Sequence, residues 1–118
     1  MKRVLVAEDN DSNYILMSYF LKNEYEVLRA VNGQEVLDKL KTEHVDLILM
    51  DIKMPIMDGL EATKKVRETF KDLPIVALTA NAFDTDRALA MEAGCNDFIT
   101  KPVNRQTTID TIVKYIGK

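Results

Sequence analysis

Three short apolar runs, Val4-Leu5-Val6-Ala7, Leu47-Ile48-Leu49-Met50 and Ile75-Val76-Ala77-Leu78, constrain this chain more than any other feature. A strand with one wet face alternates apolar and polar residues, so a run without alternation belongs to a strand covered on both faces. Two weaker strands are expected at Glu26–Ala30 and Asp97–Thr100. Helical spacing lies between them. Leu16, Met17, Phe20 and Leu21 form one stripe, and Val36, Leu37 and Leu40 form another behind Asn32 and Glu35, which have capping-box spacing. Leu60, Thr63, Val66 and Phe70 suggest a third helix, and an Ala-rich segment from Thr85 to Ala93 stops at Gly94. Ile109, Ile112, Val113 and Ile116 mark the last. Five alternations of strand and helix predict an α/β fold of three layers, a parallel sheet between helices with right-handed crossovers.

At 118 residues the chain fits one domain, expected to span residues 1–118. A lone Cys95 excludes a disulfide framework and a Cys-based zinc site, and suits a reducing compartment. The formal charge of -3 argues against nucleic acid as the main partner. No apolar run approaches the ~20 residues of a membrane span, and the N-terminus lacks the pattern of a signal peptide. The expectation is a cytoplasmic domain that touches neither nucleic acid nor membrane.

The chemistry lies in the polar residues at the end of each strand. The first strand runs into Glu8-Asp9, the third into Asp51, the fourth into Thr79 and the fifth into Lys101-Pro102. All strands of a parallel sheet end at one edge, where such folds bind ligands. Any one of these residues alone could simply cap the next helix. Together they would crowd charge, since two carboxylates ~4 Å apart repel by about 4 kcal/mol at an effective dielectric of 20. Such a cluster needs a cation or a shared proton. Hard oxygen ligands suit Mg²⁺, which prefers phosphate oxygens to complete its shell. Thr79 can donate to a phosphoryl oxygen and Lys101 can neutralise it. The pattern reads as a metal-assisted phosphoryl site.

The same residues make the chain recognisable. Val6-Ala7-Glu8-Asp9-Asn10, Leu49 to Gly59 around Asp51, Ala77-Leu78-Thr79-Ala80-Asn81 and Phe98-Ile99-Thr100-Lys101-Pro102 stand in order. The chain thereby resembles the receiver domains of two-component response regulators over essentially its whole length. The resemblance implies the flavodoxin-like (CheY-like) fold with strand order 2-1-3-4-5. It implies that Asp51 takes a phosphoryl group from a phosphohistidine on a histidine kinase or histidine phosphotransfer domain. Asp9, Asp51 and the Lys53 carbonyl would hold Mg²⁺, with Glu8 acting directly or through water. Thr79 and Lys101 would bind phosphoryl oxygens, with Lys101-Pro102 cis. Thr79 and Phe98 would switch a face built by the fourth helix, fifth strand and fifth helix, where a downstream protein binds. Lys53 and Asn81 would set the lifetime of the phosphorylated form. Glu8 departs from the commoner Asp, a longer arm at that position.

Asn10, Asn13 and Leu78-Thr79-Ala80-Asn81-Ala82 look most like receivers fused to hybrid sensor histidine kinases; a stand-alone regulator is the alternative. An FMN-binding flavodoxin-like protein would share the fold, but Glu8-Asp9-Asn10-Asp11 would repel a bare phosphate. His44 is expected in an exposed loop at the opposite edge from Asp51, so the donor histidine comes from another protein. Cys95 is expected to be a partly buried small residue, and Lys53, Lys64, Lys65 and Arg67 a solvated face.

Overall fold

The computed structural model describes residues 1–80 and 85–118. Strands β1 (Arg3–Ala7), β2 (Glu26–Ala30), β3 (Leu47–Asp51), β4 (Ile75–Thr79) and β5 (Asp97–Thr100) pair in one parallel sheet, order β2-β1-β3-β4-β5. Helices α1 (Asp11–Leu21), α2 (Gly33–Thr42), α3 (Gly59–Thr69), α4 (Thr85–Ala93) and α5 (Arg105–Ile116) fill the crossovers. The register sets Ala7 beside Met50, Asp51 beside Leu78 and Thr79 beside Thr100, so the polar strand ends line one edge.

The apolar runs divide by parity, because successive strand side chains point to opposite faces. Leu5, Ala7, Ile48, Met50, Ile75 and Ala77 pack with Val36, Ala62, Val66 and Ala90 of α2, α3 and α4. Val4, Val6, Leu47, Leu49, Val76 and Leu78 pack with Met17, Leu21, Ile109 and Ile112 of α1 and α5. Both faces are dry, which is why the runs never alternate.

Asparagine and aspartate side chains set most helix starts. Asn10, Asn32, Asp58 and Asn104 each accept the N–H three residues on, at 2.8–3.0 Å. The reciprocal bond of the Asn32–Glu35 pair goes one residue further back, to the Val31 N–H at 3.0 Å. Helix α4 stops where expected, with Gly94 at φ 119°, a region that only glycine enters without strain.

Four expectations need correction. Val113, expected in the stripe of the last helix, is exposed, and α5 is buried through Ile109 and Ile112 instead. Leu16 is 43% exposed, and α1 is buried through Met17 and Leu21 instead. Phe70 caps the end of α3 outside its buried stripe. Arg67 is no member of a solvated face: its guanidinium donates to the Gly94, Phe70 and Leu73 carbonyls and to Asn96 Oδ1, at 2.7–2.9 Å. This ties the end of α3 to the entry of β5.

The loop from Asp51 to α3 closes on itself through Gly59, whose N–H donates to the Ile52 carbonyl at 3.1 Å. A Cβ at Gly59 would overlap the Asp51 carbonyl oxygen. Gly59→Ala must therefore push backbone against backbone. It is expected to destabilise the fold by about 1–3 kcal/mol, the range for overpacking, read from the urea midpoint.

Candidate phosphoryl and metal site

Glu8 follows β1, Asp51 ends β3 and Lys101 follows β5, and the sheet brings all three together. Lys101 Nζ lies 2.9 Å from Asp51 Oδ2 and 3.3 Å from Glu8 Oε1. Both carboxylates are buried, Glu8 to 1% exposure. Asp51 Oδ1 also accepts the Lys53 N–H at 3.1 Å, and Glu8 Oε2 accepts the Asn10 N–H at 3.2 Å. The backbone ladder runs on past the strands, through Glu8 N–H to Ala30 and Lys101 N–H to Thr79. These bonds fix where the side chains start. The Lys101-Pro102 peptide is cis, as the resemblance implied.

Asp9, exposed, completes a cluster. One carboxylate oxygen each from Glu8, Asp9 and Asp51 lies within 4.8 Å of the others. Three carboxylates against one ammonium leave two negative charges, the charge that one divalent cation cancels. Glu8 Oε1 is buried and, among the described residues, accepts no well-formed hydrogen bond despite the nearby ammonium. A hard cation fits this donor set.

The electrostatics record the crowding. Burial, then the hydrogen bond and charge of Asp51, raise the Glu8 pKa from 4.5 to about 7; the Asn10 N–H and Lys101 only partly oppose them. For Lys101, burial disfavours the charge, but Asp51 and Glu8 outweigh it and leave the pKa above its ordinary value.

Thr79 is fully buried at the end of β4, in register with Thr100. Phe98 is half-buried against the α2–α3–α4 side of the core, with the Arg87 guanidinium 4.7 Å from its ring centroid. Lys53 is exposed beyond Asp51, and Asn81 lies outside the described residues. His44 is exposed before the start of β3, paired with Asp46 at 2.7 Å. Cys95 is more buried than expected, at 5% exposure, with its Sγ 3.7 Å from the Thr63 hydroxyl.

One contributor escaped sequence reading. Arg29, next to last in β2, donates to the Glu8 carbonyl at 3.2–3.3 Å and to Asp11 Oδ1 at 2.8 Å. Its guanidinium also covers the Tyr14 ring at 4.5 Å. It is a positioning residue that clamps the acidic loop. Its one visible sign is a charge following Val27 and Leu28 within a strand.

Residues 4–113 match the family described as response regulator receiver domain. The chain is 38% identical to the polar-differentiation response regulator DivK of Brucella ovis, over 98% of this chain and 97% of that protein. It is 36% identical to the CAI-1 autoinducer sensor kinase/phosphatase CqsS of Vibrio cholerae, again over 98% of this chain but only 17% of that protein. Among solved structures it superposes with TM-score 0.92 on the receiver domain of sensor histidine kinase PA1611 from Pseudomonas aeruginosa, which has a magnesium ion coordinated in its active site cleft. That match is 32% identical and covers 99% of this chain and 98% of the other. A chain of the Saccharomyces cerevisiae co-crystal of the histidine phosphotransfer protein Ypd1 and the Ssk1 receiver domain matches with TM-score 0.91 and 34% identity, over 97% of this chain and 88% of that one. These likenesses do not favour a flavin-binding reading. Sequence and fold agree from end to end, and the chain belongs to the response regulator receiver domains of two-component signalling.

Proposed function

We propose that this receiver takes a phosphoryl group from a phosphohistidine on a histidine kinase or phosphotransfer protein, onto Asp51. The observation that carries this reading is the Lys101 ammonium shared between Asp51 and Glu8 at the end of the central strand. A carboxylate oxygen of Asp51 attacks phosphorus; the O–P bond forms, the P–N bond to the donor imidazole breaks, and the nitrogen keeps the electron pair. Lys101 and the Thr79 hydroxyl meet the phosphoryl oxygens. Glu8, Asp9, Asp51 and the Lys53 carbonyl would hold Mg²⁺, which supplies positive charge to the transferring group. The exposed Lys53 side chain, two residues beyond Asp51, and Asn81 govern the lifetime of the acyl phosphate. The chain is about as similar to a stand-alone regulator as to a receiver within a sensor kinase, and this chemistry is common to both. The buried lone thiol and the phosphoryl chemistry fit the cytoplasm.

The output is a matter of parity. Thr79 and Phe98 sit on the side of the sheet that α4 covers, and the α4–β5–α5 face is where a downstream protein would bind. A switch from 1:99 to 99:1 needs about 5.5 kcal/mol of differential interaction. One hydrogen bond to a charged group supplies only ~1.5–3 kcal/mol. Thr79 therefore needs Lys101, Mg²⁺ or a partner to complete the change. Thr79→Ala is expected to accept phosphate more slowly and to lose most of the amide shifts at Ala88, Phe98 and Ile109. A full set of shifts in that variant would place the coupling elsewhere.

Labelling with acetyl phosphate and Mg²⁺ tests the acceptor. One acyl phosphate is expected on the parent and none on Asp51→Asn; an equal adduct on that variant would overturn the assignment. Lys101→Ala should slow transfer about 10²–10³-fold while keeping most metal affinity. Asp9→Ala should weaken Mg²⁺ binding about tenfold or more, since even outer-shell losses cost that much.

The Glu8 pKa makes a separate expectation about pH. A carboxyl raised to about 7 is favoured protonated in the fold, so its contribution to stability is full below about 4.5 and is lost as pH rises through 7. Thermal melts without metal should fall across that window, and Glu8→Gln should flatten the trend. Mg²⁺ competes with the same proton. Its affinity should rise about tenfold from about pH 6 to about pH 8, measured by calorimetry.

A further inference from the structure

Of the three clustered carboxylates, two are placed by the core and one is not. Glu8 and Asp51 are buried, and the Lys101 ammonium reaches both. Asp9 is exposed, in the loop between β1 and α1, and belongs to neither element. Among the described residues its backbone takes part in one hydrogen bond, the carbonyl accepting from Arg29 Nη2 at 3.4 Å. What steadies Asp9 comes from the edge strand.

Arg29 meets this loop as a fork. Its Nε and Nη2 donate to the Glu8 carbonyl at 3.3 and 3.2 Å, and Nη2 also donates to Asp11 Oδ1 at 2.8 Å. One guanidinium thus grips Glu8, Asp9 and Asp11 together. The fork is itself held in place. Arg29 stands in register with Val6 of β1, and its guanidinium lies 4.5 Å from the centroid of the Tyr14 ring on α1. The Glu8 N–H donates to the Ala30 carbonyl at 2.9 Å, so β2 fixes Glu8 through its amide as well as its carbonyl. A planar guanidinium offers donors at fixed angles, whereas a lysine ammonium is a point charge on a flexible stem.

A guanidinium beside a cation site opposes cation binding by its charge, so what Arg29 adds to the site is geometry. Geometry matters unequally to the two common hard cations. Mg²⁺ demands near-ideal octahedral positions at about 2.0–2.1 Å, while Ca²⁺ accepts about six to eight oxygens, loosely arranged, at about 2.3–2.6 Å. A loop that cannot shift therefore helps the smaller ion more. We infer that Arg29 is a positioning residue that makes the acidic site select Mg²⁺ over Ca²⁺, by fixing the backbone from which Glu8 and Asp9 reach the ion. The inference rests on the reading that Glu8, Asp9 and Asp51 hold a divalent cation. It needs no contact between Arg29 and the ion.

The test is a pair of calorimetric titrations, Mg²⁺ and Ca²⁺ in turn, into the unphosphorylated parent, Arg29→Gln and Arg29→Lys at one pH and ionic strength. The two ions carry equal charge, so a purely electrostatic effect of Arg29 cancels in the ratio of their affinities. A general loosening of the fold, followed by thermal melts without metal, lowers both affinities together and leaves the ratio alone. The parent is expected to prefer Mg²⁺. Arg29→Gln should lose about tenfold in Mg²⁺ affinity, the scale of an outer-shell loss, and at most about threefold in Ca²⁺ affinity. Arg29→Lys keeps the charge but not the fork, and should move the ratio in the same direction; it also carries the test if Arg29→Gln does not fold. A ratio unchanged or raised in either folded variant would overturn the inference, as would a parent without preference for Mg²⁺, and the metal reading would stand. If the parent binds neither ion, that reading falls too.

Discussion

One ammonium holds the functional edge together. Lys101 comes from the outermost strand yet reaches past the end of β4 to contact Asp51 on β3 and Glu8 after β1. Without it, two buried carboxylates would face each other at a cost of several kcal/mol. With it, they are held close but undercompensated, and burial together with Asp51 raises the Glu8 pKa to about 7. The reach is possible only because every strand runs the same way and ends at the same edge. An antiparallel neighbour would send its end to the other side of the molecule.

The sheet also divides labour between its faces. Continuing the alternation of each strand, Glu8, Asp51 and Lys101 share the parity of the residues that pack on α1 and α5. Thr79 and Phe98 share the parity of those that pack on α2, α3 and α4. The charged cluster therefore rests on one helical layer and the proposed responding pair on the other. Arg87 of α4 already touches the ring of Phe98, so a movement of that ring is felt on α4 directly. Between the two layers stand β1, β3 and β4, whose buried apolar side chains resist deformation.

Legibility in the sequence has the same division. Continuous runs imply covered strands, and chain direction alone brings the polar residues that close the strands to one edge, so Glu8, Asp9, Asp51, Thr79 and Lys101 are legible. Residues whose surroundings come from distant segments were not. Leu16 fits a helical stripe by spacing, but the neighbouring elements cover Met17 and Leu21 and leave it out. Arg67 looks like one more surface charge until the α4–β5 connection arrives to take its donors. Arg29 obeys the same rule. A clamp on the Glu8 carbonyl depends on tertiary neighbours that no local pattern encodes.

The proposed signal can then be small in distance and still sharp. Phosphorylation of Asp51 would replace a single negative charge with a phosphoryl group carrying about two near neutral pH. It would also take the formal charge off the carboxylate that Lys101 now holds. The ammonium would then turn to the phosphoryl oxygens and loosen its hold on Glu8, while the Thr79 hydroxyl would offer a neutral donor from the opposite parity. One change of charge would thus draw a group from each face of the sheet toward the same point. The Gly59 contact and the Arg29 clamp keep the acidic loops from yielding. The proposed movement would then fall to the side that carries Thr79, Phe98 and α4.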